Sequence, residues 1–262
     1  MANPEQDLVQ YRREGNVAII RLNRPERLNA LTDPMREGLA DRFVQANRDA
    51  DVRAVVLCAA GRAFCASGDV STMGDFTVAS ARERLRRAHR MITTLAELDK
   101  PVVAAVQGAV AGIGWSMALA CDVVYAAQSA YFSQVFKNVG LAPDGGAIYF
   151  LAQNIGLLRA KELVLSGRKV GAQEAHEMGL VTRVLEPDAL EPAALELAAQ
   201  LAQGPTLAYA FGKRMFKQVY AQALESYLDI EAWAQSAALM SADHREGVEA
   251  FLAKRPPAFQ GR

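Results

Sequence analysis

The chain has 262 residues, of which 51% are hydrophobic and 22% charged, and its 29 acidic side chains balance its 29 basic ones. This length fits one domain with an appendage or two small domains, and the absence of a basic excess argues against a nucleic-acid partner. Apolar runs such as "AVAGIGWSMALA" are shorter than the roughly 20 residues that span a membrane, so we expect no membrane partner.

The first residues, "MANPEQDLVQ", carry acids and lack the apolar stretch of a secretory signal, which predicts a cytoplasmic protein. The cysteines are Cys58, Cys65 and Cys121, an odd number without CxxC spacing. They indicate buried thiols in a reducing compartment instead of a disulfide frame. No cluster has metal-ligand spacing and no GxGxxG follows a first strand, so we expect neither a metal nor a redox cofactor.

The first half of the chain predicts strands that alternate with helices. "LVQYRREGNVAIIRL" has two alternating apolar runs around a turn at residues 14–16 and predicts a hairpin. A helix follows, with Thr32 or Asp33 as its N-cap and Pro34 in its first turn. "AVVLCAA" and "PVVAAVQG" predict buried strands, separated by an arginine-rich helix at about residues 82–98. This order predicts an α/β fold with ββα crossovers and stacked sheets.

The second half begins with a predicted strand, "DVVYAA", and a loop that contains Asp144. Helices near residues 156–166 and 171–179 and the strand "LVTRVLE" follow. From about residue 191 only helical periodicity remains, which predicts a core of residues 1–200 and a helical tail of residues 201–262. In "GLAPDGG" the Pro-Asp-Gly sequence is common turn chemistry, so Asp144 fits either a turn or a catalytic role.

Two turns are rich in small residues. "GRAFCASGDV" follows a strand, and "VQGAVAGIGWSMALACD" runs from a strand into a helix. Small residues at such turns allow backbone N–H groups to face a cleft. A pair of these donors, aided by the dipole of the helix that begins near Gly112, is suited to bind a developing oxyanion. Tight packing alone is the alternative explanation.

In this order the segments resemble the enoyl-CoA hydratase/isomerase family, the crotonase superfamily. The resemblance covers nearly the whole chain and includes "NRPERLNAL", "GLAPDGG", "GRKVGAQEAHEMGLVTRVL" and "EGVEAFLAKRPPAF". It implies a crotonase-like spiral of ββα repeats with a C-terminal helical trimerisation region, assembled as a homotrimer or dimer of trimers. It also implies an acyl-CoA substrate, with coenzyme A as part of that substrate and no separate cofactor.

The resemblance further implies functional residues. Backbone N–H groups of Ala66 and Ile113, beside Gly112, would form the oxyanion hole for the thioester carbonyl. Lys254 in the tail would reach the nucleotide phosphates of a neighbouring subunit, with a solvated helix face as the alternative. Ser67 stands where the family more commonly has glycine. The coenzyme A path is implied for Arg27, Leu28, Ala30, Ala63 and Asp69.

The sequence lacks the two glutamates of the family's hydratases, and this restricts the reaction that it can catalyse. Counting through the motif places the two glutamates of family hydratases at Ser116 and Phe136, and neither can act as an acid or base. Hydratase activity is therefore not expected. Asp144 is the remaining acid, and the closest resemblance is to isomerases of phenylacetate degradation, in which this aspartate is the acid/base. One carboxylate suffices to shift a double bond while the oxyanion hole holds the dienolate.

Phe136 is expected to line a dry substrate pocket, which raises the pKa of a carboxylate and makes it a stronger base. Phe64, Trp115, Tyr131 and Phe132 are candidate neighbours, with core packing as the alternative. The acyl group is not predicted, because the segment around residues 70–98 builds that pocket. Its arginines fit either a solvated helix face or a helix over the acyl group.

Two other functions remain open. Family dehalogenases that act on aryl-CoA use an aspartate at this position as a nucleophile, and His89 on the preceding helix is then the candidate base that activates water. A surface histidine without a role is the alternative for His89. In a non-catalytic acyl-CoA binder, Asp144 would serve only as a turn residue.

Overall fold

The computed structural model describes residues 8–73, 77–221 and 223–262. The predictions on a secretory signal and on the acyl-pocket segment fall partly on residues 1–7 and 74–76, which lie outside the described residues. The strands are β1 (Val9–Glu14), β2 (Val17–Leu22), β3 (Ala54–Ala59), β4 (Val102–Val106), β5 (Ala109–Ala111), β6 (Val123–Ala127), β7 (Tyr131–Ser133), β8 (Val170–Gly171) and β9 (Arg183–Leu185). The helices are α1 (Asp33–Arg48), α2 (Val78–Ala96), α3 (Ile113–Leu119), α4 (Ala147–Ser166), α5 (Ala172–Glu177), α6 (Pro187–Ala202), α7 (Thr206–Phe216), α8 (Leu224–Leu239) and α9 (Ala242–Leu252).

The predicted hairpin and the α/β class are confirmed. β1 and β2 pair antiparallel, from Val9 opposite Leu22 to Glu14 opposite Val17. β2, β3, β4, β6 and β9 run parallel in a six-stranded sheet of order β1-β2-β3-β4-β6-β9. A second sheet has the order β5-β7-β8. Helices of the described ranges include none long and apolar enough to cross a membrane.

The central strands are apolar throughout because both faces of the large sheet are covered. In β3, Val55 and Leu57 belong to the main core with residues of α1 and α2. The alternate residues Val56 and Cys58 belong to a second core, built with Leu190 and other residues of α6. This alternation follows from the period of two residues along a strand, and it explains why the strand reads as a continuous apolar run.

The helical tail is attached to the core by polar contacts. The guanidinium of Arg53, just before β3, donates to the carbonyls of Gly204 (2.6 Å) and Phe259 (2.9 Å). Lys213 on α7 donates to the carboxylate of Asp122 at 2.6 Å. The predicted boundary at residue 200 falls within α6, which packs on the sheet and ends at residue 202. The chain therefore leaves the sheet only after α6.

Candidate active site

A cavity of about 130 Å³ lies where α1, α2 and the start of α3 meet two loops. Its wall brings together Ala66, Ile113, Phe136 and Asp144, which come from separate segments of the chain. Arg36 of α1 and Arg84 of α2 complete the polar part of the wall. Among the described residues that line this cavity, Asp144 is the one acid.

The first turn of small residues is held by backbone pairs with β5. Cys65 donates its N–H to the carbonyl of Ala109 (3.0 Å), and its own carbonyl accepts from the N–H of Ala111 (2.9 Å). The next N–H, that of Ala66, donates to the carbonyl of Leu28 at 3.0 Å. The predicted oxyanion donor thus has an internal acceptor, which a substrate oxygen would have to share or replace.

The second turn packs closely against the first. Gly112 has a φ of +50°, and a Cβ on it would lie 2.2 Å from Oγ of Ser67, so the position requires glycine. Ser67 itself has a φ of +86°, a conformation that glycine adopts more readily, consistent with the family pattern. Ile113 follows as the first residue of α3, where a helix leaves its N–H groups without intrahelical acceptors.

The backbone of Asp144 takes part in a turn, while Oδ1 of its carboxylate has no hydrogen-bond partner among the described residues. Its carbonyl accepts from the N–H of Ala147 at 3.1 Å, where α4 begins. Its Oδ1 is buried and takes no hydrogen bond from any described residue, unlike the side chain of an Asx turn. Burial raises the pKa of this carboxyl, opposed by the charges of Arg36, Arg84 and His89. The arrangement is that of a desolvated base.

The two positions counted as glutamates in hydratases adjoin Asp144 and Gly112. Ser116 is fully buried, and its hydroxyl donates to the carbonyls of Asp144 (3.4 Å) and Gly112 (3.5 Å). Ser116 therefore supports the backbone of the Asp144 turn. Phe136 is 5% exposed and lines the cavity, with its Cζ 3.4 Å from where a Cβ of Gly112 would lie. It presents an apolar surface to the cavity.

The other aromatic candidates take part in packing. Phe64, Trp115 and Phe132 are fully buried in the main core, where the rings of Trp115 and Phe132 lie 5.4 Å apart. The ammonium of Lys169 lies over the ring of Tyr131, 4.4 Å from its centroid. Core packing, the alternative noted from the sequence, therefore accounts for Trp115 and its neighbours.

A second and larger cavity, of about 540 Å³, lies along α2, α4 and α7. The exposed His89 lines it, together with Gly145 and Gly146, the residues that follow Asp144. Its wall contains neither Ala66 nor Ile113. We therefore assign the chemistry to the smaller cavity, where the candidate oxyanion donors and the carboxylate meet, and place His89 beside it.

The predicted coenzyme A residues differ in exposure. Arg27 is exposed at the end of a single helical turn, Pro25–Arg27, while Leu28 and Ala30 are half-buried. Lys254 is exposed, two residues beyond the end of α9. These residues are accessible to a ligand from outside the chain.

Asp69 and Ala63 are buried instead. Hydrogen bonds from Ser71 and the ion pair with Arg24, at 2.6 Å, lower the pKa of Asp69 to about 2. The carboxylate of Asp69 thus caps and anchors the loop, and it has no need of a ligand. The carbonyl of Ala63 accepts from Nδ2 of Asn29 at 2.8 Å.

Asn29 was not singled out from the sequence, yet it organises this region. It is fully buried with a φ of +54°. Its Oδ1 accepts from the N–H of Arg24 (2.7 Å), and its Nδ2 donates to the carbonyls of Ala60 (2.9 Å) and Ala63. The available signal was an asparagine inside the "RLNAL" turn, since asparagine tolerates left-handed backbone.

The comparisons with known proteins agree on one family. A model of the family described as "Enoyl-CoA hydratase/isomerase" matches residues 12–262. The chain is 39% identical to "1,2-epoxyphenylacetyl-CoA isomerase" from Escherichia coli (strain K12), covering 95% of this chain and 97% of that one. It is 40% identical to "Probable enoyl-CoA hydratase" from Rhodobacter capsulatus, covering 97% and 98%. The solved structure of an enoyl-CoA hydratase from Bacillus anthracis has a TM-score of 0.93 at 32% identity, covering 97% and 100%.

Proposed function

Because the chain belongs to the enoyl-CoA hydratase/isomerase family, we propose that it is an acyl-CoA isomerase that shifts a double bond, with Asp144 as the acid/base. The observation that carries this proposal is the single buried, unpartnered carboxylate in a cavity shared with Ala66 and Ile113. The similar proteins carry both isomerase and hydratase names. The absence of carboxylates at Ser116 and Phe136 favours the isomerase.

The proposed reaction uses backbone donors and one carboxylate. The N–H of Ile113 binds the thioester oxygen, which gains negative charge when a neighbouring carbon loses its proton, and the N–H of Ala66 joins it by sharing its bond to the carbonyl of Leu28. Asp144 takes that proton and returns it to another carbon of the dienolate. The apolar face of Phe136 excludes water from the intermediate. No cofactor beyond the coenzyme A of the substrate is needed for these steps.

We also propose that residues 201–262 assemble the protein as a homotrimer or dimer of trimers in the cytoplasm. Large apolar side chains of this tail are exposed in the single chain, among them Phe216 (78%), Trp233 (80%) and Phe251 (84%). Large apolar side chains exposed in one segment of a chain indicate a surface for interaction. In such an assembly, Lys254 would be available to the phosphates of coenzyme A bound to a neighbouring subunit.

A panel of thioesters in isotopically labelled water tests the isomerase against the alternatives. An isomerase converts 3-enoyl-CoA into 2-enoyl-CoA without taking up oxygen from ¹⁸O water, so the product keeps its mass, which absorbance and mass spectrometry detect. A nucleophilic Asp144 acting on 4-halobenzoyl-CoA in ¹⁸O water would release halide and, in a single turnover, leave the label in the enzyme. Binding of every thioester without turnover would identify a non-catalytic binder and contradict the proposal.

Coenzyme A thioesters are expected to bind at least about 100-fold more tightly than the corresponding free acids, because the nucleotide and pantetheine supply contacts remote from the chemistry. Isothermal titration calorimetry with one acid and its thioester measures the ratio. Equal affinity for both would remove the support for an acyl-CoA enzyme.

Crotonyl-CoA is expected to be hydrated at least about 10³-fold more slowly than 3-enoyl-CoA is isomerised, because water activation lacks its carboxylates. The absorbance of the enoyl thioester measures both rates. In the double variant Ser116→Glu/Phe136→Glu some hydration is expected to arise. Ser116→Ala is the control for this variant. A fast wild-type hydration would show that another group activates water.

A further inference from the structure

The hydroxyl of Ser67 lies between the two turns of small residues at the small cavity. Ser67 is part of the cavity wall, together with Ile113 and Phe136. Its Oγ lies 2.2 Å, and Cζ of Phe136 lies 3.4 Å, from the point that a Cβ of Gly112 would occupy. The hydroxyl therefore lies against the backbone of Gly112, the residue whose peptide bond leads to the N–H of Ile113.

The backbone of Ser67 is held by hydrogen bonds, whereas its hydroxyl has no hydrogen-bond partner among the described residues. The carbonyl of Ser67 accepts from the N–H of Leu31 at 2.8 Å and from the thiol of Cys65 at 3.6 Å. The hydrogen of a serine hydroxyl rotates to meet an acceptor. An oxygen atom of a ligand in the cavity would therefore accept from this hydroxyl without breaking a hydrogen bond of the fold.

The backbone conformation of Ser67 is one that favours glycine. Its φ is +86°, and residues other than glycine are uncommon at positive φ because their Cβ crowds the backbone. Glycine at this position would relieve the strain but would lack the hydroxyl. Strained residues of this kind cluster at functional sites. The strain and the unpartnered hydroxyl, in the same cavity wall as Asp144, together indicate a function for this side chain.

Of the two backbone donors proposed for the oxyanion hole, one is already engaged. The N–H of Ala66 donates to the carbonyl of Leu28 at 3.0 Å, so it offers a substrate oxygen only a shared hydrogen bond. Each hydrogen bond that strengthens as the oxyanion develops lowers the barrier, and side-chain hydroxyls supply such bonds as backbone N–H groups do. A further donor beside Ile113 would compensate for the shared bond.

Resting on the isomerase function proposed above, we propose that the hydroxyl of Ser67 is a side-chain donor of the oxyanion hole. It donates to the thioester oxygen beside the N–H of Ile113, while the N–H of Ala66 keeps its bond to Leu28. The hydroxyl retains its proton throughout, so the proton that Asp144 moves is the only one transferred. Ser67 is then a catalytic residue that stabilises the dienolate more than the bound substrate.

Ser67→Ala removes the hydroxyl and tests this role. The kcat for isomerisation of 3-enoyl-CoA is expected to fall by about 10²-fold, the lower end of the effect of losing an oxyanion donor, because backbone donors remain. The calorimetric Kd of the thioester should stay within about threefold, since the charge develops only during the reaction. Ser67→Gly should lose the same activity and yet unfold at no lower a urea concentration than the parent, because glycine tolerates the positive φ.

Ser133→Ala is the matched control. The carbonyl of Ser133 accepts from the N–H of Gly112 at 2.9 Å, but its hydroxyl donates to the carbonyl of Gly167 at 2.8 Å, and Ser133 is not part of the cavity wall. The control should lose stability and keep kcat within about threefold. Equal losses of kcat in Ser67→Ala and Ser133→Ala would mean that packing around Gly112 sets the rate, and would overturn the proposal. Parental activity in Ser67→Gly would overturn it as well.

Acetoacetyl-CoA separates a failure of this proposal from a failure of the isomerase function. This thioester forms an enolate without any shift of a double bond, and the near-ultraviolet absorbance of the enolate detects it. The enolate should form at a lower pH when bound to the parent than when bound to Ser67→Ala. If the parent isomerises no 3-enoyl thioester, the proposed function fails, and this difference in pH still decides whether Ser67 donates to the oxyanion. Enolate formation at the same pH in both proteins would show that it does not.

Discussion

Asp144→Asn is expected to lower kcat for 3-enoyl-CoA isomerisation by about 10²- to 10⁴-fold, the usual contribution of a general base. The variant keeps the turn, because the hydrogen bonds to Ala147 and Ser116 use the backbone carbonyl of residue 144. The affinity for a coenzyme A thioester should change little for the same reason. Steady-state kinetics with a calorimetric Kd separate the two effects.

The pH dependence should follow the raised pKa of Asp144. The base is active when ionised, so wild-type kcat/KM should fall as the pH decreases through that pKa, which burial places above the ordinary 3.8. Any residual activity of Asp144→Asn should not show this decrease of kcat/KM at acidic pH. A rate profile from acidic to neutral pH, with thioester stability checked, measures it.

The raised pKa of Asp144 also makes the stability of the fold depend on pH. A carboxyl whose folded pKa lies above its unfolded value contributes stability that is present below the unfolded pKa and lost as the pH rises through the folded one. Asp144 therefore lowers the free energy of unfolding at neutral pH, and Asp144→Asn should unfold at higher urea concentration at pH 7. Below the unfolded pKa of about 3.8 this advantage should disappear.

Asp188→Asn is the control, since Asp188 is an exposed acid in the first turn of α6. It should leave kcat unchanged. If Asp144→Asn retains kcat within a few-fold of the parent, then Asp144 is only a turn residue, and the proposed mechanism is wrong.

The strands were predictable because their pattern is local. The apolar runs of β2, β3 and β4 follow from the covering of both faces of these strands, whereas β1 at the edge of the sheet is mostly exposed. The N-cap of α1 was predictable too, since Thr32 accepts from the N–H of Met35 as its position suggests. These features depend on neighbours within a few residues.

The site depended on contacts between distant segments. The hydrogen bond from the N–H of Ala66 to the carbonyl of Leu28 joins residues 38 apart in the chain, and no local sequence pattern predicts it. Arg36 could have been expected to face solvent, but packing against the loop at Gly68 and α2 buries it. The helix expected at residues 156–166 is the second part of α4, which is kinked at Gly156 (φ +75°), and the first part, from Ala147, was not predicted.

Asn29→Ala is expected to lower the free energy of unfolding by about 3 kcal/mol. The change removes three side-chain hydrogen bonds, one buried and two part-buried, and leaves one N–H and two carbonyls without this partner, each costing roughly 1–3 kcal/mol before water compensates part of it. Alanine also fits the left-handed backbone at φ +54° less well, by about 1 kcal/mol. Urea unfolding with an unchanged m value measures the loss.

Asn16→Ala provides the matched comparison, because the side chain of Asn16 makes one exposed hydrogen bond, to the carbonyl of Asp51 at 2.7 Å. It should cost less than about 1 kcal/mol, as is usual for a surface site. If the two alanine variants lose the same stability, water replaces the bonds of Asn29 and this residue does not hold the loop. If Asn29→Ala loses the expected stability, kcat/KM of the folded variant should fall as well, because the loop that carries Leu28 holds the N–H of Ala66 in the cavity wall.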